Sequence, residues 1–205
     1  LILTRHGQSE WNANNQFTGW VDSGLSNKGR DEAKLAGKLI KNANIKISYS
    51  FTSFLKRAQD TLKIILHETN NNKIPIKQAW ELNERHYGSL TGLNKIETKD
   101  KLGEVLFNTY RRSWDIAPPS LDRNSEHLKN FSNLNLNIPS NRIPTAESLR
   151  DTYERVIPYY LKNIFPLIES DNKILIAAHG NSLRALCKYI FKISNTDISK
   201  LEIPT

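Results

Sequence analysis

The sequence predicts an α/β fold, a three-layer sandwich in which a mainly parallel sheet lies between layers of helices. Short continuous apolar runs stand at Leu1-Ile2-Leu3-Thr4 and Ile174-Leu175-Ile176-Ala177-Ala178, the pattern of strands covered on both faces. Helical periodicities fill the chain between and after these runs, and strands alternating with helices favour a parallel sheet. Both runs also lead to a histidine followed by a glycine, His6-Gly7 and His179-Gly180. Such a repeat places two imidazoles at the carboxyl ends of strands, where α/β sheets bind ligands.

The elements follow in order. Ser26 can cap a helix through EAKLAGKLIK, with Asp31 and Glu32 near its positive end. Thr52-Ser53 precedes FLKRAQDTLKIIL, where Phe54, Leu55, Ala58, Leu62, Ile65 and Leu66 share one face and Arg57 lies off it. A longer pattern takes in Leu149, Tyr153, Val156, Ile157, Tyr160, Leu161, Ile164 and Phe165, and Pro158 predicts a kink in it. Ser182 opens a last helix, LRALCKYIF. Residues 116–146, Ala-Pro-Pro followed by many Asn and Ser, read as an irregular surface excursion, since no second core follows them. The expectation is therefore a single domain over residues 1–205, a length that supports one sizeable core.

Charge and composition narrow the function. The net charge of +8 permits anionic partners. The Lys and Arg residues are dispersed, and no helix-turn-helix, zinc-finger or RNA-stacking signature accompanies them. That favours a small phosphorylated ligand over nucleic acid or a membrane surface. No apolar run approaches the roughly 20 residues that cross a bilayer. The single cysteine, Cys187, lies in an apolar stretch and reads as a small buried hydrophobe, which fits a reducing, cytoplasmic setting.

Four places carry candidate chemistry. In Arg5-His6-Gly7, neutral imidazole is a nucleophile, Arg5 offers paired planar donors, and Gly7 allows close backbone approach. Asn12, Thr18 and Gly19 add neutral donors. The bland alternative is a polar strand end turning into solvent. In Ala178-His179-Gly180-Asn181-Ser182, a second histidine meets a helix N-terminus, itself an anion site. Arg57 is either a third cationic ligand or a solvated charge. In Leu82-Asn83-Glu84-Arg85-His86-Tyr87-Gly88, a carboxylate among cations suits general acid/base work. Lys95, Arg111 and Arg112 extend the list of anion ligands, each alone compatible with a surface charge.

Together TRHGQSEWN, FTGW, TSFLKRA, LNERHYGSLTGLNK, YRRSWD and AAHGNSLRAL, in this order, resemble the cofactor-dependent phosphoglycerate mutases of the histidine phosphatase superfamily. The resemblance runs almost the whole chain; RHG alone would indicate only the superfamily. It implies the phosphoglycerate mutase-like fold and interconversion of 3-phosphoglycerate and 2-phosphoglycerate in glycolysis and gluconeogenesis. It implies priming by 2,3-bisphosphoglycerate, with no metal, and a homodimer or homotetramer. His6 would be the phosphorylated nucleophile, His179 the stabiliser of the transferring phosphoryl group, and Glu84 the proton carrier. Arg5 and Arg57 would neutralise the transferring group. Asn12, Thr18, Gly19, Arg85, Tyr87, Lys95, Arg111, Arg112, Gly180 and Asn181 would bind substrate. The stretch between Pro119 and Glu147 departs from the family's usual pattern. Relatives also continue past Ile203-Pro204-Thr205 with a tail that helps close the site. The alternatives are a bisphosphoglycerate mutase or phosphatase of the same superfamily, and a non-catalytic phosphometabolite-binding protein.

Overall fold

The computed structural model describes residues 1–122, 124–127 and 138–204. Among them, four strands form one parallel sheet, β1 (Ile2–Arg5), β2 (Tyr49–Thr52), β3 (Ile76–Gln78) and β4 (Ile174–Ala178), in the order β1-β4-β2-β3. The helices are α1 (Glu10–Ala13), α2 (Asn27–Asn42), α3 (Lys56–Glu68), α4 (Lys95–Leu102), α5 (Glu104–Arg112), α6 (Leu149–Asn163), α7 (Phe165–Glu169) and α8 (Gly180–Ile190).

β4 lies inside the sheet, and all five of its residues are fully buried. Its alternation divides the core into two layers. Ile174, Ile176 and Ala178 meet Val156, Ile157 and Tyr160 of α6 and Leu183, Ala185 and Leu186 of α8. Leu175 and Ala177 meet Ile40 of α2 and Leu62, Ile65 and Leu66 of α3. Both faces are covered, as the continuous apolar run requires.

The register fixes what comes together at the carboxyl edge. Arg5 stands opposite Ala178, and the His6 amide donates to the Ala178 carbonyl at 2.9 Å. On the other side of β4, Thr52 stands opposite Ala177 and its hydroxyl donates to that carbonyl at 2.8 Å. The residues after β1, β4 and β2 therefore emerge side by side.

Several expectations shift. β2 and β3 are strands that no apolar run announced, since β2 carries Ser50 and Thr52 and β3 is a three-residue exposed edge. α3 begins only at Lys56, so Phe54 and Leu55 pack from the turn before it. Pro158 lies inside α6, which continues to Asn163, while Leu161 and Phe165 face outward, and Phe165 opens α7. α8 starts at Gly180, two residues before Ser182, which receives the His179 amide on its hydroxyl at 3.1 Å. Cys187 is half-buried rather than buried. The excursion is anchored at its ends: Leu121 and Ile138 are buried against Trp20. Residues 123 and 128–137 of it lie outside the described residues.

Candidate active site

His6 and His179 sit at the ends of adjacent strands, both almost wholly buried, with ring centroids 4.9 Å apart in an edge-on arrangement. His6 Nδ1 is 2.7 Å from the Gly7 carbonyl oxygen. A carbonyl only accepts, so Nδ1 carries the proton and Nε2 keeps its lone pair. Burial, then the charges of Arg57 and Arg5, hold the His6 imidazole well below its ordinary range, with the Gly7 contact opposing. Its ground state is thus a neutral ring whose Nε2 lone pair can act as a nucleophile.

His179 Nε2 lies 2.7 Å from the Ser53 hydroxyl, which already accepts the Leu55 amide at 3.1 Å. The arrangement that gives the Ser53 hydroxyl proton an acceptor has Ser53 donating to Nε2, with the ring proton on Nδ1. That Nδ1 is buried and has no protein partner. His179 is also held well below the usual imidazole range, by burial first, then by Arg57 and His6.

Arg57, expected off the apolar face of its helix, is only 1% exposed. Its Nε donates to His6 Nε2 at 3.3 Å, Nη1 to the Val21 carbonyl at 2.8 Å and Nη2 to the Gly19 carbonyl at 2.7 Å. Burial lowers its pKa to about 10, and Glu84 and Asp22 oppose that. It therefore remains cationic beside His6. Gly19 needs its glycine: φ is +52°, and an added Cβ would lie 3.3 Å from the Tyr87 amide. Thr18 is buried beside it, with its hydroxyl oxygen unpartnered.

Glu84 links this edge to the start of α8. Its Oε1 accepts the amides of Arg85 at 2.8 Å and Asn181 at 3.1 Å. The α8 N-terminus, read from sequence as a free anion site, thus already holds a carboxylate. A Cβ on Gly180 would stand 3.7 Å from Glu84 Oε2 and Arg5 Nε, an ordinary contact, so space does not require glycine there. Oε1 is tied down, and Oε2 is the oxygen left for other partners.

Arg5, Glu84, Tyr87, Arg111, Arg112, Gly180 and Asn181 share the wall of one pocket with Arg184, Glu202 and Ile203. His6 and His179 are each one residue along from a wall residue, Arg5 and Gly180. The Tyr87 hydroxyl accepts from Asn181 Nδ2 at 3.1 Å. Burial alone would raise the Tyr87 phenol, but Arg85, Lys95 and Arg111 outweigh it and the net shift is downward. Burial lowers Lys95 and Arg111, reinforced respectively by Arg111 and by Arg112. Residues 201–203 lie against the same wall: Arg184 Nε donates to the Leu201 carbonyl at 3.0 Å and Arg5 Nη1 to that of Ile203 at 2.7 Å. Arg112 pairs with Glu202 at 2.5 Å.

Five expected substrate ligands stand off the pocket wall: Thr18 and Gly19, described above, and Asn12, Lys95 and Arg85. Asn12 closes a capping box with Ser9 at the start of α1. Lys95 opens α4, its ammonium 5.8 Å from the Phe17 ring centre. Arg85 is buried behind the wall, with Nη2 on the Tyr110 and Arg111 carbonyls at 3.0 Å. His86, inside the ERHYG motif, is structural. Its Nδ1 accepts the Gly88 amide at 3.0 Å, and burial, then Arg155, lower its pKa to about 3. Gly7 serves packing, because a Cβ there would come 2.1 Å from the Gly29 carbonyl, and its amide donates to Thr61 Oγ1 at 3.1 Å.

Sequence reasoning missed Ser53, Arg155, Glu147 and Arg184. Arg184 Nη1 donates to Asn181 Oδ1 at 2.7 Å. Its position one turn beyond Gly180-Asn181 was the available signal.

The buried donors without a protein partner include Arg5 Nε, Arg85 Nε and Nη1, and His179 Nδ1. Natural interiors satisfy such groups, so this set fits an anionic ligand with several oxygens. Among the described residues, no cluster of three or more His, Cys, Asp or Glu side chains is placed to hold a metal ion. No helix among them is long and apolar enough to cross a membrane.

Residues 1–133 match the family described as the histidine phosphatase superfamily (branch 1). The chain is 52% identical over 205 residues to the 2,3-bisphosphoglycerate-dependent phosphoglycerate mutase of Pelagibacter ubique, covering 100% of this chain and 86% of that protein. It is 50% identical over 205 residues to the enzyme of the same name from Corynebacterium jeikeium, covering 100% of this chain and 80% of that one. Among solved structures, a phosphoglycerate mutase from Bacillus anthracis superposes with a TM-score of 0.68 at 21% identity, over 93% of this chain and 79% of that one. A mycobacterial glucosyl-3-phosphoglycerate phosphatase carrying VO3 does so with a TM-score of 0.73 at 22% identity, over 98% and 84%. At these identities the two structures establish the shared fold.

Proposed function

The chain belongs to the histidine phosphatase superfamily and, within it, to the 2,3-bisphosphoglycerate-dependent phosphoglycerate mutases, and from this membership we propose that it interconverts 3-phosphoglycerate and 2-phosphoglycerate through phosphorylated His6. The observation that carries the reading is a pocket wall in which Arg5, Arg111, Arg112 and Arg184 surround the Glu84 carboxylate, beside the buried His6–His179 pair. A phosphatase needs to neutralise one phosphoryl group. This wall has cations to hold a second anionic group while the first reacts. 2,3-Bisphosphoglycerate, when bound, supplies the phosphoryl group that loads the enzyme.

The roles follow from the atoms. His6 Nε2 forms the new N–P bond as the P–O bond to the sugar-acid oxygen breaks. Glu84 Oε2 gives that oxygen its proton, and takes a proton from the receiving hydroxyl when the transfer reverses. Arg57 exchanges its contact with Nε2 for one with a phosphoryl oxygen, keeping its carbonyl anchors. His179 donates from Nδ1. Phosphoryl transfer needs positioning and charge neutralisation more than covalent elaboration, and these side chains supply both without a metal ion. Thr18, Gly19, Asn12 and Arg85 hold the transferring group, while Tyr87, Lys95, Arg111, Arg112, Gly180 and Asn181 hold the rest of the substrate. Glycolysis and gluconeogenesis are the setting on this reading, in the cytoplasm. The partners are small phosphorylated acids and a second copy or copies of the chain, which sedimentation will show as a dimer or tetramer.

The test is an assay with 3-phosphoglycerate, with and without 2,3-bisphosphoglycerate, in the presence of a chelator. The expected result is 2-phosphoglycerate formation that bisphosphoglycerate stimulates and the chelator leaves unchanged. Phosphate release without isomerisation would assign the chain to the phosphatase alternative.

A further inference from the structure

Arg155 is not itself a pocket-lining residue, yet it uses all five of its N–H donors on Glu147 and on the backbone of the segment that carries Glu84. Nη1 donates to the carbonyls of Glu81 at 2.6 Å and Asn83 at 3.1 Å, and Nη2 to that of Glu84 at 3.0 Å. Nε and Nη2 grip the Glu147 carboxylate at 2.6 and 3.0 Å. Glu147 in turn accepts the His86 amide at 2.8 Å and returns its own amide to the His86 carbonyl at 2.9 Å. One ion pair therefore holds the backbone at residues 81, 83, 84 and 86. Its side chains are 8% and 4% exposed, so water does not compete for it as it does for a surface pair. Trp20 Nε1 shares the Glu84 carbonyl at 2.6 Å.

We propose that Arg155, oriented by Glu147, is the positioning residue that sets where the Glu84 carboxylate stands. The inference rests on the proton-carrying role given to Glu84 above. Proton transfer requires Oε2 within hydrogen-bond reach of the reacting oxygen, and a displacement of ~1 Å costs on the order of 100-fold. Lysine offers three donors from a single point and cannot span three carbonyls and a carboxylate at once.

The experiment compares two phosphoryl donors that load His6. With 2,3-bisphosphoglycerate, the breaking P–O bond leaves an alkoxide that needs the Glu84 proton. With 2,4-dinitrophenyl phosphate, the N–P bond forms as a stabilised phenolate departs unprotonated. Wild type, Glu84→Gln, Arg155→Lys and Glu147→Gln are compared by acid-labile label on His6 and by isomerisation. Arg155→Lys and Glu147→Gln are expected to follow Glu84→Gln, losing on the order of 10- to 100-fold with the alkyl donor and less than about 3-fold with the aryl donor. Equal losses with both donors, or no loss with either, overturn the proposal. Should Arg155→Lys fail to fold by circular dichroism, the near-isosteric Glu147→Gln and Trp20→Phe decide by the same comparison. Failure of the mutase reading looks different: wild type does not isomerise, or Glu84→Gln itself shows no dependence on the donor.

Discussion

His6 and His179 face each other with ring centroids 4.9 Å apart, because Arg5 and Ala178 are register partners on neighbouring parallel strands. Two imidazoles this close, both buried and flanked by arginines, are stable together only as neutral rings. That relationship ties the site's chemistry to the protein's pH behaviour.

His6, His86 and His179 all have folded pKa values below the ordinary 6.5. Below about pH 6.5 the unfolded chain takes up protons that the folded chain refuses. Stability is therefore complete above that pH and falls as pH drops through it, by about 1.4 kcal/mol per pH unit for each histidine fully engaged. Thermal unfolding of the ligand-free protein is expected at a clearly lower temperature at pH 5 than at pH 7.5. Equal melting temperatures would contradict the neutral pair.

A dianion placed beside these rings reverses the balance, because it favours the protonated imidazole. Binding of sulfate, which is wholly a dianion at pH 7, is expected to take up a fraction of a proton to about one proton, chiefly on His179. Calorimetry in buffers of different ionisation enthalpy reads this directly, and His179→Asn should abolish it. Identical heats in all buffers would rule it out.

Arg57→Lys leaves the Gly19 and Val21 carbonyls short of donors in a buried site. A loss of about 2–4 kcal/mol in stability follows from two unsatisfied acceptors, measurable by urea unfolding. Loading of His6 should slow by at least about 100-fold through lost charge positioning. A lysine variant with native stability and loading would show that the three-way contact of Arg57 is dispensable.

Gly7→Ala puts a Cβ 2.1 Å from the Gly29 carbonyl oxygen, where the segment after β1 meets the first turn of α2 backbone to backbone. Neither chain can yield without moving an element, so the cost should reach or exceed the ~1–3 kcal/mol typical of overpacking. Equilibrium unfolding tests this, and a change below 0.5 kcal/mol (roughly the surface-substitution range) would contradict it.

Glu202 holds Arg112, an arginine of the pocket wall assigned above to the proposed substrate. Glu202→Gln is expected to lower KM by up to about 5-fold, the most that an exposed pair worth ~1 kcal/mol allows. The maximal rate should not change. A raised KM would mean that Glu202 helps to bind substrate instead of competing with it.

The strand–histidine–glycine grammar of RHG and AHG was legible because a buried parallel strand needs continuous apolar residues and a polar exit. The Ser26 cap of α2 was legible for a similarly local reason, with its hydroxyl on the Gly29 amide at 3.1 Å. β2 and β3 were not, since central position and edge position depend on neighbours that the local sequence does not name. Arg57 illustrates the same limit: helical spacing puts it off the apolar face, while the carbonyls of Gly19 and Val21 draw it inside.

The sequence by itself determined the α/β class and picked out the two histidines, and Glu84 with Arg5, Arg111, Arg112 and Tyr87 of the pocket wall, all carried by local pattern and motif, but not Arg184. Only the tertiary structure decided that Glu84 Oε1 is occupied and Oε2 is left, that Gly7 serves α2, and that Arg155 and Glu147 grip the Glu84 segment from behind. Those facts depend on contacts that cross the chain, Glu84 with Asn181 97 positions apart, Arg155 with Glu84 71 and Gly7 with Gly29 22. Hydrogen bonding across such separations is set by strand register and helix packing, and no local pattern encodes it.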